Sequence, residues 1–209
     1  MTLRAPLMLL ALSAAAVPSW AQSPVSAVPL FPGAVLNETV TREIVAREGD
    51  QSPYKPTTGV KRTGGEIKVY MTDAPAEDVV PFYIKQLGAM PGTGNHADLF
   101  QVKNGGRTPV TYDLEMHSFE DIIDEHAHEG SVNIYGKDVK KALVDNRKPY
   151  DGGGWVNAGH FAWAGRDATG TLTTYMLVVD DASFADDGTY TVTRTHIRVQ
   201  WDTWSSGEN

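Results

Sequence analysis

Cysteine is absent from the 209 residues of this chain. Its absence excludes disulfides, thiolate zinc sites, cysteine nucleophiles and a lipid attached at an N-terminal cysteine. Positive charge is also scarce, because 18 lysines and arginines stand against 26 aspartates and glutamates, which gives a formal net charge of −8. Sequence-independent nucleic-acid binding needs a basic face, so we expect no nucleic acid among the partners. Beyond the first residues no apolar run approaches membrane-spanning length, which predicts no transmembrane segment in the mature chain.

The first residues have the three parts of an export signal. Arg4 supplies the positive charge, residues 7–17 form an apolar run, and the small residues Ser19 and Ala21 stand at the positions that a signal peptidase reads. The alternative is a buried or membrane-spanning N-terminal helix, but the run is shorter than the roughly 20 apolar residues that cross a bilayer. We therefore predict a cleaved signal peptide at residues 1–21 and a periplasmic or secreted protein. The absence of cysteine favours a bacterial periplasm.

Three short helices are predicted in the remainder of the chain. The first follows Asp73, its candidate N-cap, and ends at Gly88. Pro81 lies past the first turn of this helix and is expected to cause a kink or a late start. The second and third helices are predicted at residues 118–129 and 138–146.

Strands account for most of the other residues. Alternation of apolar and polar side chains marks them, and the Asn-Gly-Gly sequence at residues 104–106 predicts a hairpin turn. The predicted strands are residues 35–47, 66–72, 99–103, 110–116, 155–164, 172–180 and 190–203. The chain is therefore predicted to be α+β, with a mainly antiparallel sheet whose C-terminal third is a β-meander. Residues 22–209 are expected to form one domain, with room for a soft division near residue 152.

Two local motifs carry a family resemblance. A Pro-Gly-Ala turn stands at residues 32–34, and a strand leads into a helix that contains Phe82 and Tyr83. Together, over residues 29–87, they resemble small secreted or periplasmic bacterial proteins, many of which have no assigned activity. Pro81 stands where those proteins have a polar or small residue. The resemblance implies an exported α+β domain and no catalytic residue.

Residues 117–129 contain the densest set of ionisable side chains. Wound as a helix, they place Asp124 and His128, four residues apart, on the face opposite the apolar side chains. With His117, or with His96 from elsewhere, this pair predicts a divalent metal site of the Zn²⁺, Mn²⁺ or Ni²⁺ type. The alternative is a surface helix. The helix dipole then favours acidic residues in its first turn and histidines near its C-terminal end. No complete metal signature is present.

The last predicted strand carries a second candidate site. Arg194, His196 and Arg198 share one face of it, and two arginines with a histidine can hold a carboxylate or a phosphate. Neighbouring strands could add His160 or Arg166. The alternative is a solvated sheet face with acidic cross-strand partners. These partners would be Asp113, Glu115 or Asp180.

Aromatic side chains form a third set. They are Trp155, Phe161, Trp163, Tyr175, Trp201 and Trp204. Tryptophan combines apolar area with an N–H donor, so such a cluster can line a ligand pocket or fill an ordinary core. We include Trp163 among the candidate ligand-binding residues.

No complete catalytic arrangement is present, since the chain lacks both a GxSxG nucleophile turn and a phosphate-binding loop. The sequence therefore predicts an exported, non-catalytic binding or envelope-associated protein, whose partner is an unidentified ligand or envelope protein. The alternative is a metal-dependent hydrolase that uses residues 117–129. A third interpretation is an interaction module that pairs through the proline-rich residues 22–32 or through an exposed edge strand. No cofactor other than the divalent metal is expected.

Overall fold

A computed structural model describes residues 28–48, 52–54, 56, 59–92, 97–118, 138–146, 155–180 and 194–206. The strands are β1 (Val35–Leu36), β2 (Val60–Thr72), β3 (Met90–Pro91), β4 (Thr111–Ser118), β5 (Trp155–Arg166), β6 (Leu172–Asp180) and β7 (Thr195–Ser206). The helices are α1 (Glu38–Glu48), α2 (Ala76–Leu87) and α3 (Val139–Asn146), with a 3-10 turn at Ala97–Phe100. The predicted signal peptide, the glycines near residue 152 and residues 119–129 of the second predicted helix lie outside the described residues, while Ser118, its first residue, ends β4.

The strands form one sheet with the order β1-β2-β7-β6-β5-β4-β3. All neighbouring pairs are antiparallel except β3 with β4. Strands β4 to β7 are neighbours in chain order, so the C-terminal strands form a meander. The predicted α+β class, the mainly antiparallel sheet and the C-terminal meander are confirmed. None of the described helices is long and apolar enough to cross a membrane.

One face of the sheet, which we call the core face, carries the main hydrophobic core. Phe161, Leu177 and Ile197 point to it from three adjacent strands and are fully buried. Helix α2 packs there through Val80 and Tyr83, and α3 contributes Leu143. Burial of these large apolar side chains provides most of the driving force for folding.

Helix α2 shows how local signals set its limits. Its N-cap is Pro75, in an extended conformation, rather than the predicted Asp73. Gly88 ends the helix in the left-handed region at φ 59°, where glycine has no steric cost. Pro81 lies inside the helix, and the helix nevertheless begins at Ala76, so the late start is not observed.

The segment predicted as a strand at residues 35–47 is instead a short strand followed by α1. The side chain of Asn37 accepts a hydrogen bond from the backbone N–H of Val40 at 3.0 Å, and the hydroxyl of Thr41 donates to the Asn37 carbonyl at 2.8 Å. This N-terminal cap outweighs the β-branched residues of the segment. Ile44 of α1 lies over the second face of the sheet, which we call the α1 face.

The predicted hairpin arm at residues 99–103 is also absent, because that stretch starts in the 3-10 turn and continues without strand pairing. The side chain of Arg166 explains why the backbone carbonyls of residues 99–103 need no strand partner. The guanidinium donates to the carbonyls of Val102 and Gly170, both at 2.7 Å, and to that of Phe100 at 3.3 Å. A side chain therefore satisfies the backbone here in place of a ladder.

Candidate binding cavity

Two adjacent rows of the α1 face bring ionisable residues together. In the first row, Asp180 of β6 lies directly opposite His196 of β7. In the second row, Arg198 lies opposite Val178, and Val178 lies opposite His160 of β5. Residues directly opposite in an antiparallel pair share a face and have Cβ atoms about 4.5–5.5 Å apart. Four ionisable side chains therefore occupy one patch across β5, β6 and β7.

This patch is one end of a cavity of about 540 Å³. The floor continues along the sheet as Ala162 and Met176, which supply an apolar surface. The walls are Ile44 from α1 and the segment that contains Tyr54. The cavity therefore has a polar end and an apolar end, which is the usual constitution of small-molecule sites.

A buried polar network holds the Tyr54 wall in place. Asp202, 1% exposed, accepts a hydrogen bond from the hydroxyl of Ser52 at 2.7 Å and pairs with Nε of Arg62 at 2.6 Å. The Tyr54 hydroxyl donates to the carbonyl of Tyr175 at 3.2 Å. Burial, followed by the charge of Asp202, raises the pKa of Tyr54, so its hydroxyl remains a donor at neutral pH.

The same network orients the arginine of the cavity. One terminal nitrogen of Arg198 donates to the side-chain carbonyl of Gln200 at 2.8 Å, and Gln200 in turn donates to Asp202 at 3.4 Å. Gly65 lies opposite Asp202, where a Cβ atom would come within 2.7 Å of the Trp201 carbonyl. This close approach of β2 and β7 requires glycine.

The structure brings together only part of the predicted ligand set. His196 and Arg198 line the cavity, and so does His160. Arg194 precedes β7, is 56% exposed and pairs with Asp73 at 3.1 Å, away from the cavity lining. Trp163 points to the core face, where its ring stacks on Tyr175 with centroids 5.0 Å apart. The four residues of the predicted ligand set therefore do not share one surface. They are Arg194, His196, Arg198 and Trp163.

The metal prediction falls mostly outside the described residues. Asp124 and His128 lie there, and of His117 only the backbone position near the end of β4 is described. Among the side chains that the structure describes, no group of three histidines or acids could hold a metal ion. The metal site stays a prediction.

The walls of the cavity do not follow from the sequence. Ile44 falls in the strand predicted at residues 35–47, and Tyr54 falls in no predicted helix or strand, so neither is expected above the sheet. The cap formed by Asn37 and Thr41 is the signal that would have identified α1 as a helix.

Burial gives His196 a measurable pH signature. It lowers the pKa of His196 below the ordinary value of 6.5. The unfolded chain then binds a proton more readily than the folded one, so acid favours unfolding from about pH 6.5 downward until the folded pKa is passed. We expect the stability advantage of the wild type over His196→Gln to shrink between about pH 7 and pH 5 in urea unfolding. A constant or growing difference would contradict this.

No protein-family model, curated protein or solved structure matches this chain. The resemblance noted for residues 29–87 stays a prediction from two local motifs.

Proposed function

We propose that this protein is an exported binding protein that holds a small amphipathic molecule in the cavity on the α1 face. The observation that carries the proposal is the cavity itself, which is polar at His196 and Arg198 and apolar at Met176 and Ala162. Its volume of about 540 Å³ is within the range typical of small-molecule sites. Export is supported by the signal-like residues 1–21.

The register of the strands indicates how the ligand would lie. Met176 is opposite Ala162 on β5 and two residues before Val178, so the apolar floor begins one row from the ionisable patch. The polar group of the ligand would lie over Asp180 and His196, and its apolar body over Met176. Displacement of water from this apolar floor would supply much of the binding free energy.

The test uses N-phenyl-1-naphthylamine, a neutral apolar dye that fluoresces when it leaves water. We expect saturable binding to the wild type and a loss of affinity of about tenfold or more in Met176→Arg, because a long charged side chain would cross the apolar floor. Met90→Arg is the matched control, since Met90 is 52% exposed on β3 and is not among the lining residues. It should bind as the wild type does.

Circular dichroism establishes that both variants are folded before their affinities are compared. Equal binding by the two variants, or no saturable binding by the wild type, would overturn the cavity proposal. The protein is prepared from the periplasm of a bacterial host, where an intact mass that begins at Gln22 supports export. A mass that retains residues 1–21 would overturn that part.

A further inference from the structure

The polar end of the cavity carries one charge of each sign. Among the lining residues that the structure describes, Arg198 supplies the one guanidinium and Asp180 the one carboxylate. Histidine is mostly neutral at pH 7, and burial lowers the pKa of His196 below its ordinary value of 6.5. The formal charges of this lining therefore cancel at neutral pH, although the whole chain has a net charge of −8.

The two charges are also close neighbours on the α1 face. Asp180 of β6 lies opposite His196 of β7, and Arg198 is two residues further along β7. Such diagonal neighbours in an antiparallel pair are about 7–8 Å apart. An ion over this patch would therefore meet an attractive and a repulsive charge at comparable distances, and the two Coulomb energies would largely offset each other.

Both charged side chains already have interactions within the chain. A terminal nitrogen of Arg198 donates to the side-chain carbonyl of Gln200 at 2.8 Å, and Gln200 donates to Asp202 at 3.4 Å. Asp180 likewise interacts with another group of the chain. A carboxylate or an ammonium group of a ligand would have to compete with these interactions, whereas an uncharged hydroxyl or amide could lie beside them.

The rest of the lining makes the entry of an ion costly. Its apolar residues include Ile44, Val69, Ala162, Met176 and Val178. An ion that leaves water for such surroundings loses far more hydration free energy than a hydroxyl or an amide group does. Because the charges of the described lining residues sum to zero, they do not offset this loss.

We propose that the cavity selects uncharged ligands. Its ligand class is a small molecule with an apolar body and one uncharged polar group, such as a hydroxyl or an amide, and it discriminates against carboxylates and amines that have the same body. The discrimination comes from a cost imposed on the wrong ligands rather than from an added contact to the right one. This inference rests on the proposed binding function, which it narrows from amphipathic molecules in general to neutral ones.

Three probes with one apolar body test the selectivity. They are 4-phenylbutan-1-ol, 4-phenylbutyrate and 4-phenylbutylamine, which at pH 7 are neutral, negatively charged and positively charged. Each is titrated against wild-type protein that holds the naphthylamine dye, and loss of fluorescence measures displacement. We expect the alcohol to displace the dye at a concentration about tenfold lower than either ion requires.

Variants that unbalance the two charges show whether the charges set the selectivity. Asp180→Asn leaves the guanidinium of Arg198 without its neighbouring opposite charge, so the ratio of carboxylate affinity to amine affinity should rise about fivefold or more. Arg198→Gln should lower the same ratio by a similar factor. Asp73→Asn and Arg194→Gln are the matched controls, because they make the same charge changes in an exposed ion pair outside the cavity lining. Both controls should keep the wild-type ratio.

Dye binding by the wild type separates the possible failures. If either ion displaces the dye at a lower concentration than the alcohol, or if none of the three compounds displaces it, the selectivity is wrong and the binding function stands. Wild-type ratios in Asp180→Asn and Arg198→Gln, with both variants folded by circular dichroism, would also overturn the inference. Should these variants not fold, the wild-type displacement series decides alone. Absence of dye binding would overturn both proposals.

Discussion

Replacement of Asp202 with alanine is expected to lower the free energy of unfolding by about 3–5 kcal/mol. The carboxylate is 1% exposed, while the side chain of Arg62, its ion-pair partner at 2.6 Å, is 19% exposed. Removal of the carboxylate would take a buried negative charge away from the largely desolvated guanidinium of Arg62 and an acceptor away from the Ser52 hydroxyl. Urea unfolding of the wild type and the variant measures the difference.

A surface pair provides the control for this prediction. Asp73 and Arg194 also form an ion pair, at 3.1 Å, but their side chains are 86% and 56% exposed. Asp73→Ala should barely change the unfolding midpoint, because exposed ion pairs contribute little. The double variant Arg62→Met/Asp202→Leu should recover most of the loss, since it removes both buried charges together. If Asp202→Ala lowers the free energy of unfolding no more than Asp73→Ala does, the buried network around Asp202 does not stabilise the fold.

The Asp202 network also connects stability to the proposed function. Its hydrogen bond to Ser52 fixes the segment whose next described residues, Pro53 and Tyr54, form a wall of the cavity. Through Gln200 it orients Arg198 at the polar end. Any variant that disturbs Asp202 is therefore expected to change the cavity as well, so dye affinity in such variants is compared only among molecules that remain folded.

The sheet could be predicted from the sequence because the alternation that marks a strand is local to that strand. Strands β5, β6 and β7 each alternate apolar and polar residues between clear turns, so their existence and approximate limits follow from period-two spacing. In β7 the same alternation places His196 and Arg198 on one face, which the structure confirms. Helix α1 was missed because the Asn37 cap, a single side-chain hydrogen bond, outweighs several β-branched residues.

The residues that meet in the cavity were harder to predict, because the register between strands cannot be inferred from the sequence of any one strand. That Asp180 lies opposite His196, and Val178 opposite both His160 and Arg198, depends on how β5, β6 and β7 align. The same alignment sends Trp163 to the other face, opposite Tyr175. Residues that look equivalent within one strand therefore divide between a cavity and a core.

Replacement of Trp163 with alanine is expected to lower the free energy of unfolding by about 3–5 kcal/mol, and to leave dye affinity unchanged in the folded protein. The side chain is 6% exposed, and its ring is nearly parallel to that of Tyr175, at an interplanar angle of 5°. Alanine would leave a void in the core face and forfeit the stacking contact. Urea unfolding gives the stability, and the naphthylamine titration gives the affinity, both on the same preparation.

Trp163→Phe and Met176→Arg are the two comparisons that make this result decisive. Phenylalanine keeps an aromatic ring against Tyr175, so its loss of stability should be smaller than that of alanine. Met176→Arg should show the reverse pattern, with weakened dye binding, because its side chain lies on the cavity floor. If Trp163→Ala instead abolished dye binding at little cost in stability, Trp163 would be a ligand contact, and the assignment of the binding site to the α1 face would be wrong. The opposite patterns expected for these two residues follow from one physical fact: the sheet is a single layer whose two faces perform different tasks.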